Sequence, residues 1–442
     1  MKVFLFLFYN FVKLLVKISF RVFYEKVVLK NRHYLRKDNP CIMVSNHPST
    51  MTDPMQVAHK AKRITHFLAN ASMFKHPFTN WFFSTFYCIP IERPKDVGGR
   101  GISNNDSFKK AEEFLQAGGL LYVAAEGYSQ PERRLGRIKT GTARIALSTE
   151  NKSNFELGLT IQPVGLNYMA HRFFRTKLFT YAGDPLPVAN YKSLYKKDPR
   201  AAVVKLTEDI SEAIRPLIID TEDEAEDKLL LQLEEMLGNS KPLDLEENFF
   251  RNKKILDQLR LYRANYPSDD KAFRGKVQQY FYKLEKAGLR DRSLAEIESG
   301  DSGSLIGQGL LLLLGLPFFL YGWLNNFLAN YIPLFITKRV NIFPGYDSTI
   351  KLMSGLVIYP VVYALQVFAV HQLFQNSTIT WIYFLTLAPL GLLAWSYRKS
   401  YKHFLESKSW NKYKGHVVTE SEQLLRERAA ILGNLERLLN AK

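Results

Sequence analysis

Cys41-Ile42-Met43-Val44-Ser45-Asn46-His47-Pro48-Ser49-Thr50-Met51-Thr52-Asp53 is the stretch on which the reading of this 442-residue chain turns. Its first four residues form an apolar run that reads as a strand buried on both faces. Small polar residues and Pro48 then make a turn. In that turn His47 and Asp53 stand six positions apart. A carboxylate bonded to one imidazole nitrogen fixes the tautomer and leaves the other nitrogen able to take a proton from an alcohol. The residue types suit an acid/base pair. Spacing alone does not separate them from a structural His and Asp beside a strand end.

Outward from this strand, the apolar runs at 64–68, 120–123, 159–164 and 178–181 read as further strands. The periodic stretches 108–115 and 201–214 read as helices, and Gly118-Gly119 supplies a stop after the first of them. This alternation over residues 31–215 predicts an α/β domain, a mostly buried sheet flanked by helices. Residues 1–23 are very apolar, with Asn10, Lys13, Lys17 and Arg21 spaced to share one helical face, and residues 1–30 are read together as one interfacial segment. That pattern predicts a helix lying in a membrane interface, with a soluble core helix as the alternative. No small-residue cleavage site follows, which argues against a signal peptide.

Over residues 216–300 the composition shifts to charged stretches of helical period at 222–237, 245–263 and 268–284. They read as an α-helical insert or linker domain whose charges form a solvated face. Ser268-Asp269-Asp270, after Pro267, reads as a helix start. Residues 301–400 hold two runs free of Asp, Glu, Lys and Arg: 36 residues at 302–337 and 46 at 352–397. A spanning helix needs about 20 residues. The second run is therefore expected to be a transmembrane hairpin turning between His371 and Thr378. The first is long for one span and short for two. With Pro317 inside it and Asn325-Asn326 following, it is expected to fold as a re-entrant or kinked pair of helices. Lys338, Arg339 and Lys351 before the hairpin, and Arg398, Lys399 and Lys402 after it, put both flanks in the cytoplasm by the positive-inside rule. Residues 401–442 read as a cytoplasmic helical tail with an apolar stripe at Leu424, Leu425 and Leu432.

The bulk numbers fit this layout. An apolar fraction of 46% permits a real core, and a formal charge of +18 asks for a negative partner. No nucleic-acid motif accompanies the charge, and the basic residues beside apolar runs favour an anionic membrane surface. Cys41 and Cys88 lie in apolar stretches without pairing or metal spacing, and read as small buried hydrophobes in a reducing compartment.

Three blocks follow the turn from Asn46 to Asp53-Pro54 in a definite order. The first is Ile89-Pro90-Ile91-Glu92-Arg93, behind an approach from Phe67-Leu68-Ala69 to Phe74-Lys75. The next is Ala125-Glu126-Gly127-Tyr128-Ser129, and the last Ile161-Gln162-Pro163-Val164-Gly165. The stretch Lys139-Thr140-Gly141-Thr142-Ala143-Arg144-Ile145-Ala146 lies between these last two. In this order the blocks make residues of about 35–190 resemble the glycerophosphate/lysophosphatidate acyltransferase superfamily, often called PlsC-like. Two departures stand out. Most members have four residues between the His and the Asp, whereas this chain has five, as in a subgroup related to fungal-type glycerol-3-phosphate acyltransferases and similar bacterial proteins. Some of that subgroup carry C-terminal membrane segments. Ala125 and Tyr128 also replace the family's usual Pro and Thr.

The resemblance implies roles residue by residue. His47 would be the general base on the acceptor hydroxyl, and Asp53 would orient it. Arg93 would pair with the acceptor phosphate, since a guanidinium suits two oxygens at once. Glu126 and Gly127 would shape the acceptor site, with Asn46 and Lys139 among the substrate-binding residues. Pro163 would support the acyl channel or the packing behind it. Attack on an acyl thioester would be direct; no Gly-x-Ser-x-Gly elbow is present and neither Cys lies beside a His. Plainer readings stay open for several of these. Arg93 could be a surface ion pair, Gly127 could serve only a turn, and Asn46 could only tighten one. Arg133, Arg134 and Lys139 could form a solvated basic loop. His66 and His76 read as structural.

The expected activity is thus O-acyl transfer in phospholipid synthesis, from acyl-CoA or an acyl-carrier protein to glycerol 3-phosphate or 1-acylglycerol 3-phosphate, without cofactor or metal. The expected setting is an integral membrane protein with its catalytic domain on the cytoplasmic face, in contact with the phospholipid bilayer and not with nucleic acid. The alternatives are another lyso-lipid acceptor, transacylation between phospholipids, or a catalytically inactive membrane lipid-binding scaffold.

Overall fold

Cys41–Ser45 lies in the middle of an eight-stranded sheet, with a parallel neighbour on each side. The computed structural model describes residues 2–36, 38–93, 104–300, 304–340, 343–416 and 418–440. The chain forms two compact units. One is Met1–Asp220 with Val340–Leu352; the other is Thr221–Arg339 with Met353–Lys442.

In the first unit the elements run α1 (Lys2–Phe23), β1 (Tyr24–Lys30), β2 (Cys41–Ser45), α2 (Thr52–Ala58), β3 (Thr65–Asn70), α3 (Pro77–Thr85) and β4 (Cys88–Ile91). They continue with α4 (Asn105–Gln116), β5 (Leu120–Ala124), α5 (Gly141–Lys152), β6 (Thr160–Tyr168), β7 (Thr176–Ala182), β8 (Leu186–Pro187), α6 (Lys192–Lys197) and α7 (Pro199–Ile214). The strand order is β1-β7-β6-β2-β5-β3-β4, with β8 beside β6. Pairing is parallel throughout except between β6 and its partners β7 and β8.

Successive side chains of a strand face opposite ways. Ile42 and Val44 of β2, Leu121 and Val123 of β5 and Ile161 of β6 pack into one core with Ala111 and Leu115 of α4, Ile145 to Leu147 of α5, and Leu206, Ile210 and Ile214 of α7. Met43 and Tyr122, on the opposite face, are buried as well. Burial on both sides is why these strands read as unbroken apolar runs. Pro163 sits opposite Val44 in this sheet. Its carbonyl accepts from Gly183 N–H, between β7 and β8, so its missing donor falls where one antiparallel partner gives way to the other.

Two local expectations change. The apolar N-terminal helix stops at Phe23, and Tyr24–Lys30 is a strand paired with β7 rather than the end of a helix reaching residue 30. The apolar run itself ends at Phe23, and the charged, β-branched stretch Tyr24-Glu25-Lys26-Val27-Val28-Leu29-Lys30 pairs at the sheet edge. The helix expected from Ser268 begins one residue earlier, with Pro267 at its first position, where a missing N–H costs nothing.

The described residues of the second unit are helical apart from short connections. They comprise α8 (Glu224–Ser240), α9 (Leu245–Asn265), α10 (Pro267–Ala287), α11 (Asp291–Glu298), α12 (Leu305–Val340), most of α13 (Asp347–Phe374), α14 (Ser377–His416) and α15 (Val418–Asn440). The run expected to form a re-entrant or kinked pair is one continuous helix, α12, with Pro317 and Pro333 inside it. Asn325 and Asn326 do not mark a break. Asn326 donates to Leu387 O at 3.0 Å and accepts from Tyr363 Oη at 2.5 Å. Asn325 accepts from Tyr383 Oη at 2.6 Å. The two amides thereby tie α12 to α13 and α14, and Gly391 leaves room for Asn326. Polar side chains joining closely packed helices through small residues are the usual means of association in lipid. Among the described residues, α1 and these helices supply four segments long and apolar enough to cross a membrane: Val3–Phe23, Leu305–Val340, Pro344–Phe374 and Ser377–Tyr413.

The charges of the helical insert are not all solvated. Arg428 of α15 is fully buried and donates to Asp291 Oδ1 at 2.8 Å and Oδ2 at 3.2 Å. It also reaches Glu298, Met236 O and Ser240 Oγ, while Tyr280 Oη donates to Asp291. Arg428→Ala strands the buried Asp291 carboxylate. A loss of about 3–5 kcal/mol is expected for such a stranded charge. Thermal denaturation should report it as a lowered midpoint, and an unchanged midpoint would contradict the account.

Candidate active site

The C-terminal ends of the parallel strands converge on the turn between β2 and α2. In open α/β sheets this end is where ligands bind. The turn is held to the sheet by Asn46, whose Nδ2 donates to Leu166 O at 3.0 Å and whose Oδ1 accepts from Leu166 N–H at 2.8 Å. Asn46 therefore splices the turn to β6, which fits the plainer reading of it as a residue that tightens the turn.

His47 Nδ1 lies 2.9 Å from Asp53 Oδ2. The same oxygen accepts from Ser49 N–H at 2.7 Å, and Asp53 Oδ1 accepts from Tyr168 Oη at 2.7 Å. The Asp53 side chain is fully buried, while that of His47 is 16% exposed. The carboxylate is thus dry and fixed from three sides, and the imidazole edge opens outward. No described residue bonds Nε2, which suits a base waiting for an external hydroxyl. Burial, followed by the charge on Asp53, pushes the Tyr168 hydroxyl well above the ordinary tyrosine range, so Tyr168 is a firm donor. Tyr168 was not legible as a site residue. It lies three positions beyond the last sequence block, and only the pairing of β6 with β2 carries it to Asp53.

At the end of β5, Glu126 is buried beside the turn. Burial raises its carboxyl to about 8, against the opposing pull of the His47 N–H. Gly127 has φ +75°, a region that L side chains rarely adopt, and a Cβ there would come 3.2 Å from Lys139 Cγ. Arg93, just past β4, donates to Gly127 O at 3.2 Å, which brings the second and third blocks together. Lys139 is exposed, shortly before α5, and its N–H donates to Ala125 O. Pro163 lies behind the site in β6, where a Cβ on Gly183 would touch its ring.

The two further histidines that the sequence singles out, His66 and His76, have structural partners. His66 stacks on Phe114 with centroids 3.7 Å apart, and burial lowers its imidazole to about 4. His76 Nδ1 accepts from Phe78 N–H and caps α3. Among the described residues no group of three His, Cys, Asp or Glu could hold a metal ion.

Residues 26–167 match the acyltransferase family model. A chloroplastic 1-acyl-sn-glycerol-3-phosphate acyltransferase of Brassica napus is 27% identical over 143 residues, 32% of this chain and 40% of the relative. A second chloroplastic one, from Arabidopsis thaliana, is 26% identical over 160 residues, 36% of this chain and 41% of the relative. An uncharacterized acyltransferase of Schizosaccharomyces pombe is 26% identical over 198 residues, 43% of this chain and 28% of that protein. The chain thus spans about two fifths or less of the length of these curated relatives. Among solved structures, the 1-acyl-sn-glycerophosphate acyltransferase PlsC of Thermotoga maritima aligns at 21% identity with a TM-score of 0.33, covering 46% of this chain and 78% of that one. The region built around His47 and Asp53 is thus the part of the chain that matches the acyltransferase family model and resembles these acyltransferases.

Glu126 also ties stability to pH. A carboxyl whose folded value lies above its unfolded one holds its proton more tightly when folded. Its contribution is full below about 4.5 and is lost as pH rises toward about 8. The melting temperature should fall over that interval, and Glu126→Gln should flatten the decline. An equal slope in both proteins would refute the assignment.

Proposed function

We propose that this protein is a membrane-bound O-acyltransferase of phospholipid synthesis. It moves a fatty acyl group from an acyl thioester, acyl-CoA or acyl-carrier protein, to the free hydroxyl of 1-acylglycerol 3-phosphate. The observation that carries the reading is the His47–Asp53 pair, with its carboxylate buried and bonded three times and its imidazole edge open. The names of the two plant relatives support this acceptor. The five-residue spacing between His47 and Asp53 favours glycerol 3-phosphate as the second candidate.

In the proposed reaction, His47 Nε2 takes the proton of the acceptor hydroxyl as its oxygen attacks the thioester carbonyl. The C–S bond breaks, and the thiolate leaves with the proton returned by His47. Asp53 keeps Nδ1 protonated and steadies the imidazolium. The attack is direct. Cys41 is buried within β2, and burial raises the Cys88 thiol to about 12, so neither is an activated thiolate. Arg93 receives the acceptor phosphate from its place beside Gly127, with Lys139, whose side chain also lies against Gly127, as a second cation. The basic residues flanking the long apolar helices support a catalytic unit on the cytoplasmic face.

A mass-spectrometric assay offering 1-acylglycerol 3-phosphate and glycerol 3-phosphate side by side tests the reading. The diacyl phosphate product should dominate. His47→Ala should lower turnover by about 10²–10⁴, the usual worth of a general base. Full transfer by His47→Ala would end the mechanism. Arg93→Lys should raise KM for the phosphorylated acceptor with little change in kcat, because an ammonium cannot bind two oxygens in a fixed fork. An unchanged KM would remove Arg93 from the phosphate site.

A further inference from the structure

Thr50, three residues past His47, has φ +41°, a conformation that β-branched residues rarely adopt. Backbone held in such a region persists only where its surroundings fix it, and such positions gather at functional sites. Three contacts fix this one. Thr50 N–H donates to Ser129 Oγ at 3.3 Å. Thr50 Oγ1 lies 3.2 Å from Gly345 O and 2.7 Å from Thr349 Oγ1. Thr50 and Thr349 are both buried, so these hydroxyls have no water to replace a lost partner. Gly345 is pressed against Ser129, where a Cβ would come within 2.9 Å of Oγ.

The same short segment grips a second loop. Ser348 Oγ donates to His171 O, and Lys351 Nζ donates to Arg172 O at 2.7 Å. Asp347 Oδ2 takes both Arg172 Nε at 2.9 Å and Nη2 at 2.8 Å. This loop directly follows Tyr168. The segment thus holds the two pieces of chain that fix Asp53: the turn supplying Ser49 N–H and the strand end supplying Tyr168 Oη. In the sequence it runs from the connection after α12 through the first turn of α13, far outside the family-matched residues 26–167, yet it belongs to the first compact unit.

We propose that the segment 345–351, the turn before α13 and the first turn of that helix, is a positioning element of the catalytic site, in which Thr349 and Gly345 hold Thr50, and through it the His47–Asp53 turn, in its working conformation. The acyltransferase region needs this segment from the C-terminal part of the chain to complete its site. The effect on turnover rests on the acyl-transfer reading above; the effect on the turn does not.

The test uses the full chain in phospholipid nanodiscs, with Thr349→Val, Thr349→Ser and Asp347→Asn. Hydrogen–deuterium exchange is followed on peptides covering residues 46–56, residues 169–175 and the central strands. Thr349→Val should speed exchange across 46–56 by about tenfold, the scale of one lost hydrogen bond. Thr349→Ser, which keeps the hydroxyl, should stay near wild type. Asp347→Asn should speed exchange at 169–175. With an acyl thioester and 1-acylglycerol 3-phosphate, Thr349→Val should lower kcat by about the same factor and leave KM nearly unchanged, again with recovery in Thr349→Ser. Unchanged exchange at 46–56 in Thr349→Val, a uniform rise in the strands as well, or failure of Thr349→Ser to recover would overturn the proposal. A wild-type protein that forms no acylated product with either acceptor would sink the acyl-transfer reading, while the exchange comparison would still decide the role of the segment.

Discussion

The carboxylate of Asp53 accepts from His47, from the Ser49 main chain and from Tyr168, and it has no contact with solvent. A buried ionisable group is tolerable only with such partners, because an unpaired charge out of water costs several kcal/mol. Each partner comes from a different piece of the fold. His47 leaves the end of β2, Ser49 belongs to the turn into α2, and Tyr168 closes β6. The three can meet only if β2 and β6 pair in register, which the Val44–Pro163 alignment and the Asn46–Leu166 bonds secure.

The sheet makes that registry rigid. Its central strands are apolar on both faces and covered by helices, so a slip of one residue would exchange two buried surfaces at once. Rigid strand ends then present Glu126, Gly127 and Arg93 beside the turn. Gly127 accepts from Arg93 and has the left-handed backbone needed to leave β5 sharply. The turn itself is less secure, since Thr50 carries a positive φ, and contacts from residues remote in sequence hold it there.

The helical unit follows the same rule of pairing in drier surroundings. Asn325 and Asn326 sit within a long apolar helix and are bonded to tyrosines and a carbonyl of neighbouring helices. Arg428 is enclosed by Asp291, Glu298 and main-chain acceptors. In both places polar residues, Asn325 and Asn326 read from the sequence as a break and Asp291 read as part of a solvated face, are cross-links, because a neighbour distant in sequence supplies the partner.

The sequence by itself determined the buried strands 41–45 and 120–124, the helices around 105–116 and 199–214, the long apolar segments, and the ordered blocks holding His47, Asp53, Arg93, Glu126 and Gly127. These are local or periodic properties: apolar runs, helical spacing and short motifs each carry their own physical signature. The tertiary structure alone decided the rest. It made Tyr24–Lys30 a strand, kept Leu305–Val340 as one helix, assigned Asn46 to the sheet and brought Tyr168 and Thr349 to the catalytic turn. Strand pairing and buried hydrogen bonds join residues more than a hundred positions apart, and no spacing in the chain records which partner a buried polar group will find.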